Sequence, residues 1–190
     1  YLRNISYQVR DFNIDSLLQR AKKEADLKPL QRYDGDAFES ERIRIETLLR
    51  KSGYYGFSRQ YVSFLVNDTI SFPDTSRKMV DILVRVDNPP APAGQSQGRH
   101  TPYTVESVTF EVLPPATLPD SLFRKDATTW NGINYIFTGR RFSPRILNSK
   151  IRVRPGQLYS QEDERLTQRQ LSLMDQFRFV NYGFDSTGNR

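Results

Sequence analysis

The stretch Asp36-Ala-Phe-Glu-Ser-Glu-Arg-Ile-Arg-Ile-Glu-Thr-Leu-Leu-Arg-Lys-Ser-Gly-Tyr-Tyr-Gly-Phe57 reads as a long helix followed by a sharp aromatic turn. Phe38, Ile45 and Leu49 recur at spacings that stack them on one face of an α-helix. Asp36 stands where a cap would accept from free backbone N–H groups, and Glu39 takes the capping-box position. Gly53 then supplies the left-handed residue that turns the chain sharply. Glu39, Glu41 and Glu46 alternate with arginines, which predicts ion pairs along the helix rather than an acid/base pair.

Beyond that turn, Tyr61-Val-Ser-Phe-Leu-Val66 alternates, with Val62, Phe64 and Val66 on one face and Tyr61, Ser63 and Leu65 on the other. After a polar loop with Pro73, Met79–Asp87 alternates again through Val80, Ile82, Val84 and Val86, so the two runs read as an antiparallel hairpin. Upstream, Tyr1–Val9 reads as a half-buried strand with Tyr1, Ile5, Tyr7 and Val9 on one face. A helix is expected from Ile14 to about Ala25, capped by Asn13, with Leu17, Leu18 and Ala21 inward and Pro29 ending it.

Residues Asn88 to Pro102 are rich in proline and poor in apolar side chains, and mark a boundary. The expected organisation is a complete domain over 1–89, a Pro/Gly-rich linker over 90–102 and a second domain over 103–190. In the second, Tyr103–Val112 is a strand with Val108, Phe110 and Val112 aligned. An irregular insertion follows near 113–142, with an extra strand at Ile133–Phe137. A helical turn is expected at Ser143-Pro144, and a helix over Ser160–Gln176 with Leu166, Leu173, Met174 and Phe177 inward. Arg178–Phe184 reads as the opening strand of a hairpin whose last strand is missing, and both ends of the sequence read as cut from something longer. Both units thus repeat the order strand, helix, helix, strand, strand.

Composition agrees with folding. With 190 residues, 37% hydrophobic, there is material for two cores of modest size. The net charge of +6 is spread singly among acids rather than in runs, so a solvated surface is the better reading than a nucleic-acid or lipid footprint. Cysteine is absent, which removes disulfides and thiolate metal sites. No apolar run is long enough to span a bilayer as a helix, and no signal peptide is visible.

The sequence offers no chemistry. The single histidine, His100, lies in the Pro/Gly-rich stretch and is read as a solvated loop residue. Asp34-Gly-Asp36 does not continue into a calcium loop and is read as a turn and helix cap. No phosphate-cradling glycine motif occurs. Catalytic, cofactor and metal sites are therefore expected to be absent, as is a small-molecule ligand. Tyr54, Tyr55, Phe57 and Tyr61 near Arg59 offer the alternative of a basic/aromatic nucleic-acid-binding module, but aromatic packing at a helix-to-strand corner is preferred, and no nucleic-acid partner is expected. Trp130 is either a lid over apolar surface or an exposed anchor for a partner.

Tyr33-Asp34, Glu41–Ile45, Leu49–Phe57 and the strand pair ending Val86-Asp-Asn-Pro89 resemble a POTRA (polypeptide-transport-associated) domain. The similarity is to the Bacteroidetes-like branch of the Bam/Tam-type outer-membrane assembly proteins of the Omp85 superfamily. Arg145-Ile-Leu147, Arg154-Pro-Gly-Gln-Leu-Tyr159, Thr167, Leu171 and Phe177–Asn181 resemble that family's last domain before its barrel. Gly53, Tyr54, Tyr55, Phe57, Pro155, Gly156 and Tyr159 are the structural positions of the motif.

The resemblance implies an α+β fold of tandem β-α-α-β-β units, each a three-stranded mixed sheet with two helices on one face. It implies a non-enzymatic periplasmic scaffold continuous with a C-terminal outer-membrane β-barrel. Unfolded outer-membrane protein clients and periplasmic accessory proteins or lipoproteins would be its partners. The edge strand Tyr61, Val62, Ser63, Phe64, Leu65 and Val66 would take a client by strand addition, because an open edge presents unpaired backbone groups to any sequence.

Overall fold

Three strands build the first sheet of the computed structural model: β1 (Leu2–Val9), β2 (Val62–Asn67) and β3 (Val80–Val86). The structure describes residues 1–67, 78–91, 93–94, 98–114, 123–139, 141–177 and 179–185; the loop with Pro73 lies outside them. β3 is central, parallel to β1 and antiparallel to β2. Ile82, Val84 and Val86 are buried while Asp81, Leu83 and Arg85 between them are not, so one face of the sheet is a core face.

Two helices complete this unit, which runs from Tyr1 to Tyr103: α1 (Phe12–Arg20) and α2 (Gly35–Lys51). Ile14 and Leu18 of α1 join Phe38, Ile45 and Leu49 of α2 in one cluster with Leu2, Val62 and the β3 residues. Each such side chain contributes about 1.5–3 kcal/mol on burial. Gly53 follows α2 with φ +103°, and the N–H of Tyr54 closes on the Leu49 carbonyl at 3.1 Å.

The helix ends differ from expectation. Asp11, not Asn13, caps α1, accepting from the N–H groups of Asn13 and Ile14, and α1 gives way to a single 3-10 turn (Lys22–Glu24) well before Pro29. Asp34, not Asp36, caps α2, accepting from Asp36 N–H. Glu39 is not part of a capping box; its carboxylate serves Arg42 and Arg59. In both helices aspartate reaches the helix N–H groups from two positions further upstream because the chain enters them extended.

The faces of the strands also shift in places. Leu2, rather than Tyr1, enters the core, because the β1–β3 register slips between Leu2 and Ile5 and changes which parity faces inward. Val62 is buried and Phe64 packs on the core, but Val66, on the same face and so expected inward, is 46% exposed.

Glu41 is the one carboxylate sealed within this core among the described residues. Its carboxylate accepts from the Tyr7 hydroxyl (2.9 Å), the Asp26 N–H (2.8 Å) and two nitrogens of Arg44 (2.7 and 2.9 Å). The expected intrahelical pairs of Glu41, Glu39 and Glu46 with arginines do form. For Glu41 the pair is also a staple joining β1, the segment after the 3-10 turn and α2.

The second unit, Thr104–Arg190, builds its sheet from β4 (Val108–Val112), β5 (Lys125–Trp130) and β6 (Ile133–Thr138). Central β6 is parallel to β4 and antiparallel to β5, the same layout as in the first sheet. The chain order differs: all three strands precede the helices α3 (Pro144–Lys150) and α4 (Gln161–Ser172). Strand β5 was not foreseen. Asn131 (φ +49°) and Gly132 (φ +77°) form the two-residue turn that folds it onto β6, and the Asn-Gly pair is its sequence signal.

The second core contains Ile133, Tyr135, Phe137, Leu147, Ile151 and Leu171, with Met174 and Phe177 packed on it. Helix α4 stops at Ser172, so Leu173, expected inward, is 73% exposed while Thr167 and Leu171 carry the buried side. Residues 179–184, expected as a strand, form none: the sheet is completed by the β5–β6 hairpin. This tail lies instead along α4, with the Tyr182 hydroxyl donating to the Glu164 carbonyl at 3.0 Å and Gln168 donating to the Val180 carbonyl at 3.0 Å.

Candidate strand-docking site

The edge strand β2 has β3 on one side only. The Asp87 N–H donates to the Tyr61 carbonyl at 2.9 Å, which fixes the alternation: Ser63 and Leu65 turn their backbone groups toward β3, while Val62, Phe64 and Val66 turn theirs outward. Val62 is already spent. Its N–H closes a 3-10 turn (Arg59–Tyr61) on the Arg59 carbonyl, and its own carbonyl accepts from Arg42 Nε at 3.1 Å. Among the described residues, the open part of the edge is therefore Phe64 and Val66.

The opposite edge, β1, is covered where it begins. Leu2 N–H donates to the Gln31 carbonyl, and Leu30 N–H donates to the Leu2 carbonyl, both at 2.8 Å. Leu30 adopts φ +66° in making this bridge. Covering one edge with a loop and closing one end of the other with an arginine are both devices that restrict strand addition to a chosen segment.

A groove of about 510 Å³ runs beside the closed end of β2, lined by Glu39, Arg42, Ser58, Arg59, Gln60, Val62 and Ser63. Glu39 bridges two cations, accepting from Arg59 at 2.9 Å on one oxygen and from Arg42 at 3.3 Å on the other. The Arg42 guanidinium lies 5.1 Å from the Phe64 ring centroid, so this charge cluster abuts the open segment of the edge. On the sheet face away from the helices, Leu65 is 49% exposed.

Of the sequence-derived edge residues, the structure places Val62, Ser63, Phe64, Leu65 and Val66 in β2 and Tyr61 in the preceding 3-10 turn, packed against the core. Tyr54 and Phe57 are buried, Tyr55 is half-exposed, and Arg59 is ion-paired, so these residues do not form an exposed stacking platform for nucleic-acid bases. In the second unit, Gly156 has φ +79° and its N–H donates to the Val105 carbonyl, beside Pro155, while buried Tyr159 donates to Glu164 at 2.8 Å. Trp130 ends β5 half-exposed. Sequence reasoning missed Arg42 and Glu39 as edge residues, because the contact with Val62 spans twenty positions and leaves no local pattern.

His100 overturns its reading as a solvated residue. It is buried, its ring lies 4.8 Å from those of both Phe57 and Tyr61, and its Nε2 is 3.0 Å from the Asp87 carbonyl. Gly98 is buried beside it, and Tyr103 N–H donates to the Gly53 carbonyl at 2.9 Å. Residues 98–103 thus strap back onto the first unit.

No family model matches the chain, and no curated protein matches it. Among solved structures, it is similar to the crystal structure of Haemophilus influenzae BamA POTRA3-5, with 14% identity, 95% of this chain and 87% of that one covered, and a TM-score of 0.32. It is also similar to the N-terminal domain of Omp85 from the thermophilic cyanobacterium Thermosynechococcus elongatus, with 12% identity, coverage of 95% and 88%, and a TM-score of 0.30. Overlaps this loose carry no weight beside the topology itself, which defines two α+β units, each with a three-stranded mixed sheet and two helices.

Proposed function

We propose that this chain is a periplasmic scaffold segment of an outer-membrane β-barrel assembly or translocation protein, and that it holds extended polypeptide by strand addition at β2. Its partners are unfolded outer-membrane protein clients, together with periplasmic accessory proteins or lipoproteins, and its role is binding rather than catalysis. The compartment and the attachment to a barrel rest on the motif resemblance at Glu41–Phe57 and Arg154–Tyr159. The observation that carries the binding role is the outward-facing, unspent backbone of Phe64 and Val66 on a sheet whose other edge is bridged by Leu30 and Gln31. Few backbone hydrogen bonds, each worth about 0.5–1.5 kcal/mol net, give weak and sequence-tolerant binding, which suits a scaffold that handles many clients.

The test is chemical-shift mapping of the 190-residue chain titrated with a blocked peptide of alternating Val and Thr, against a scrambled polar control. Shifts gathered on Phe64–Asn67 with the extended peptide alone are expected. No shifts at millimolar peptide would reduce the segment to a spacer.

A further inference from the structure

We infer that the Glu39–Arg42–Arg59 cluster makes the β2 edge selective for extended segments that carry a carboxylate at the end lying beside Val62. This inference rests on strand docking at β2 and adds a chemical preference to it. A ladder limited to Phe64 and Val66 leaves most of the discrimination between segments to side chains at its two ends. At the Val62 end, two guanidinium groups face one carboxylate, and both oxygens of that carboxylate are already shared between them. Each guanidinium has five N–H donors. Arg42 places Nε on Val62 and Nη1 on Glu39, and Arg59 places Nη1 on Glu39, so both retain donors directed at nothing else among the described residues.

Arg59 is the more exposed of the two, at 54%, and lines the groove; Arg42 lies over Phe64, the first residue an added strand would pair with. A carboxylate arriving there meets an excess positive charge and planar donors suited to it, whereas a lysine meets like charge. Neither arginine has to leave its present partner to accept it. The edge is therefore closed at Val62 and marked there with a charge, which sets where a docked segment ends as well as what it ends with.

Two sets of blocked Val/Thr peptides test this on the 190-residue chain, one with a single Asp at either end and one with Asn or Lys in the same places. Chemical shifts of Phe64–Asn67 report docking, and the Arg59 side-chain resonance reports the charge contact. The Asp peptide matching the bound direction is expected to bind roughly three- to fivefold more tightly than its Asn counterpart at low salt. That advantage should disappear in Arg59→Gln and at high salt, while the Asn peptide should bind wild type and Arg59→Gln alike. Equal affinities of the Asp, Asn and Lys peptides, with shifts still on Phe64–Asn67, would overturn the selectivity and leave strand docking standing. Absence of shifts with every peptide would overturn both.

Discussion

The Tyr7 hydroxyl donates to the Glu41 carboxylate at 2.9 Å, joining the first strand to the second helix across 34 residues of chain. Arg44 holds the same carboxylate with two nitrogens, and the Asp26 N–H takes a further place on it. Glu41→Ala leaves the partly buried Arg44 guanidinium, the Tyr7 hydroxyl and the Asp26 N–H without their shared partner, and is expected to cost about 3–5 kcal/mol. Tyr7→Phe removes one hydrogen bond and should cost about 1 kcal/mol. Urea unfolding of the single and double variants should show non-additivity, because both changes act on one network.

Burial, reinforced by the Glu41 charge, raises the Tyr7 phenol well above the ordinary tyrosine range, and burial pushes Tyr182 up to about 12. Unfolded tyrosines ionise near pH 10 while these stay protonated in the fold, so their contribution to stability is complete below about pH 10 and is lost as pH rises through the folded values. Asp81 behaves oppositely. Its hydrogen bond from Arg3 lowers its pKa, so its contribution is present above the ordinary aspartate range and is lost as pH falls. Unfolding midpoints against pH should fall at both extremes, and Tyr7→Phe should flatten the alkaline limb.

A side chain at Gly98 would run into the carbonyl oxygens of Pro89 and Pro90, and His100 fills the slot between Phe57 and Tyr61. Gly98→Ala and His100→Ala should each detach the strap, costing about 1–3 kcal/mol. Hydrogen exchange at Tyr103 N–H, which donates to Gly53, is the readout; unchanged protection in both variants would show that the strap does not depend on these contacts.

Gly132→Ala places an L-residue at φ +77°, where its Cβ would meet Pro155 only at an ordinary contact distance of 3.8 Å. The cost is therefore conformational, about 1–2 kcal/mol, and should be confined to the β5–β6 hairpin. Fluorescence of Trp130, the single tryptophan, adjoins this turn and should report the lowered unfolding midpoint.

Much of the first unit was legible in its sequence. Phe38, Ile45 and Leu49 recur at helical spacing, Ile82, Val84 and Val86 at strand spacing, and Gly53 marks the turn; these are periodicities and backbone preferences that a residue carries wherever it sits. The order strand, helix, helix, strand, strand followed from patterns of this kind, and the three-stranded sheet with two helices from the motif resemblance. What sequence did not reveal lay in contacts between segments far apart. Glu41 reads locally as one more helix-surface acid, and only the closing of β1 and the 25–27 segment over it makes it a buried staple. His100 reads as a loop residue until Phe57 and Tyr61 enclose it.

The second unit shows the same division more sharply. The apolar patterns of Val108–Val112 and Ile133–Phe137 mark two of its strands, yet the place of β5 in the sheet and the docking of residues 179–184 along α4 were settled by which backbone groups found partners. In the first unit, likewise, alternation alone marks Tyr61–Val66 as a strand with an apolar side. That Arg42 closes Val62 while Phe64 and Val66 stay open depends on the folded neighbourhood, because side-chain periodicity is local, whereas the use of a backbone hydrogen bond depends on what folds beside it.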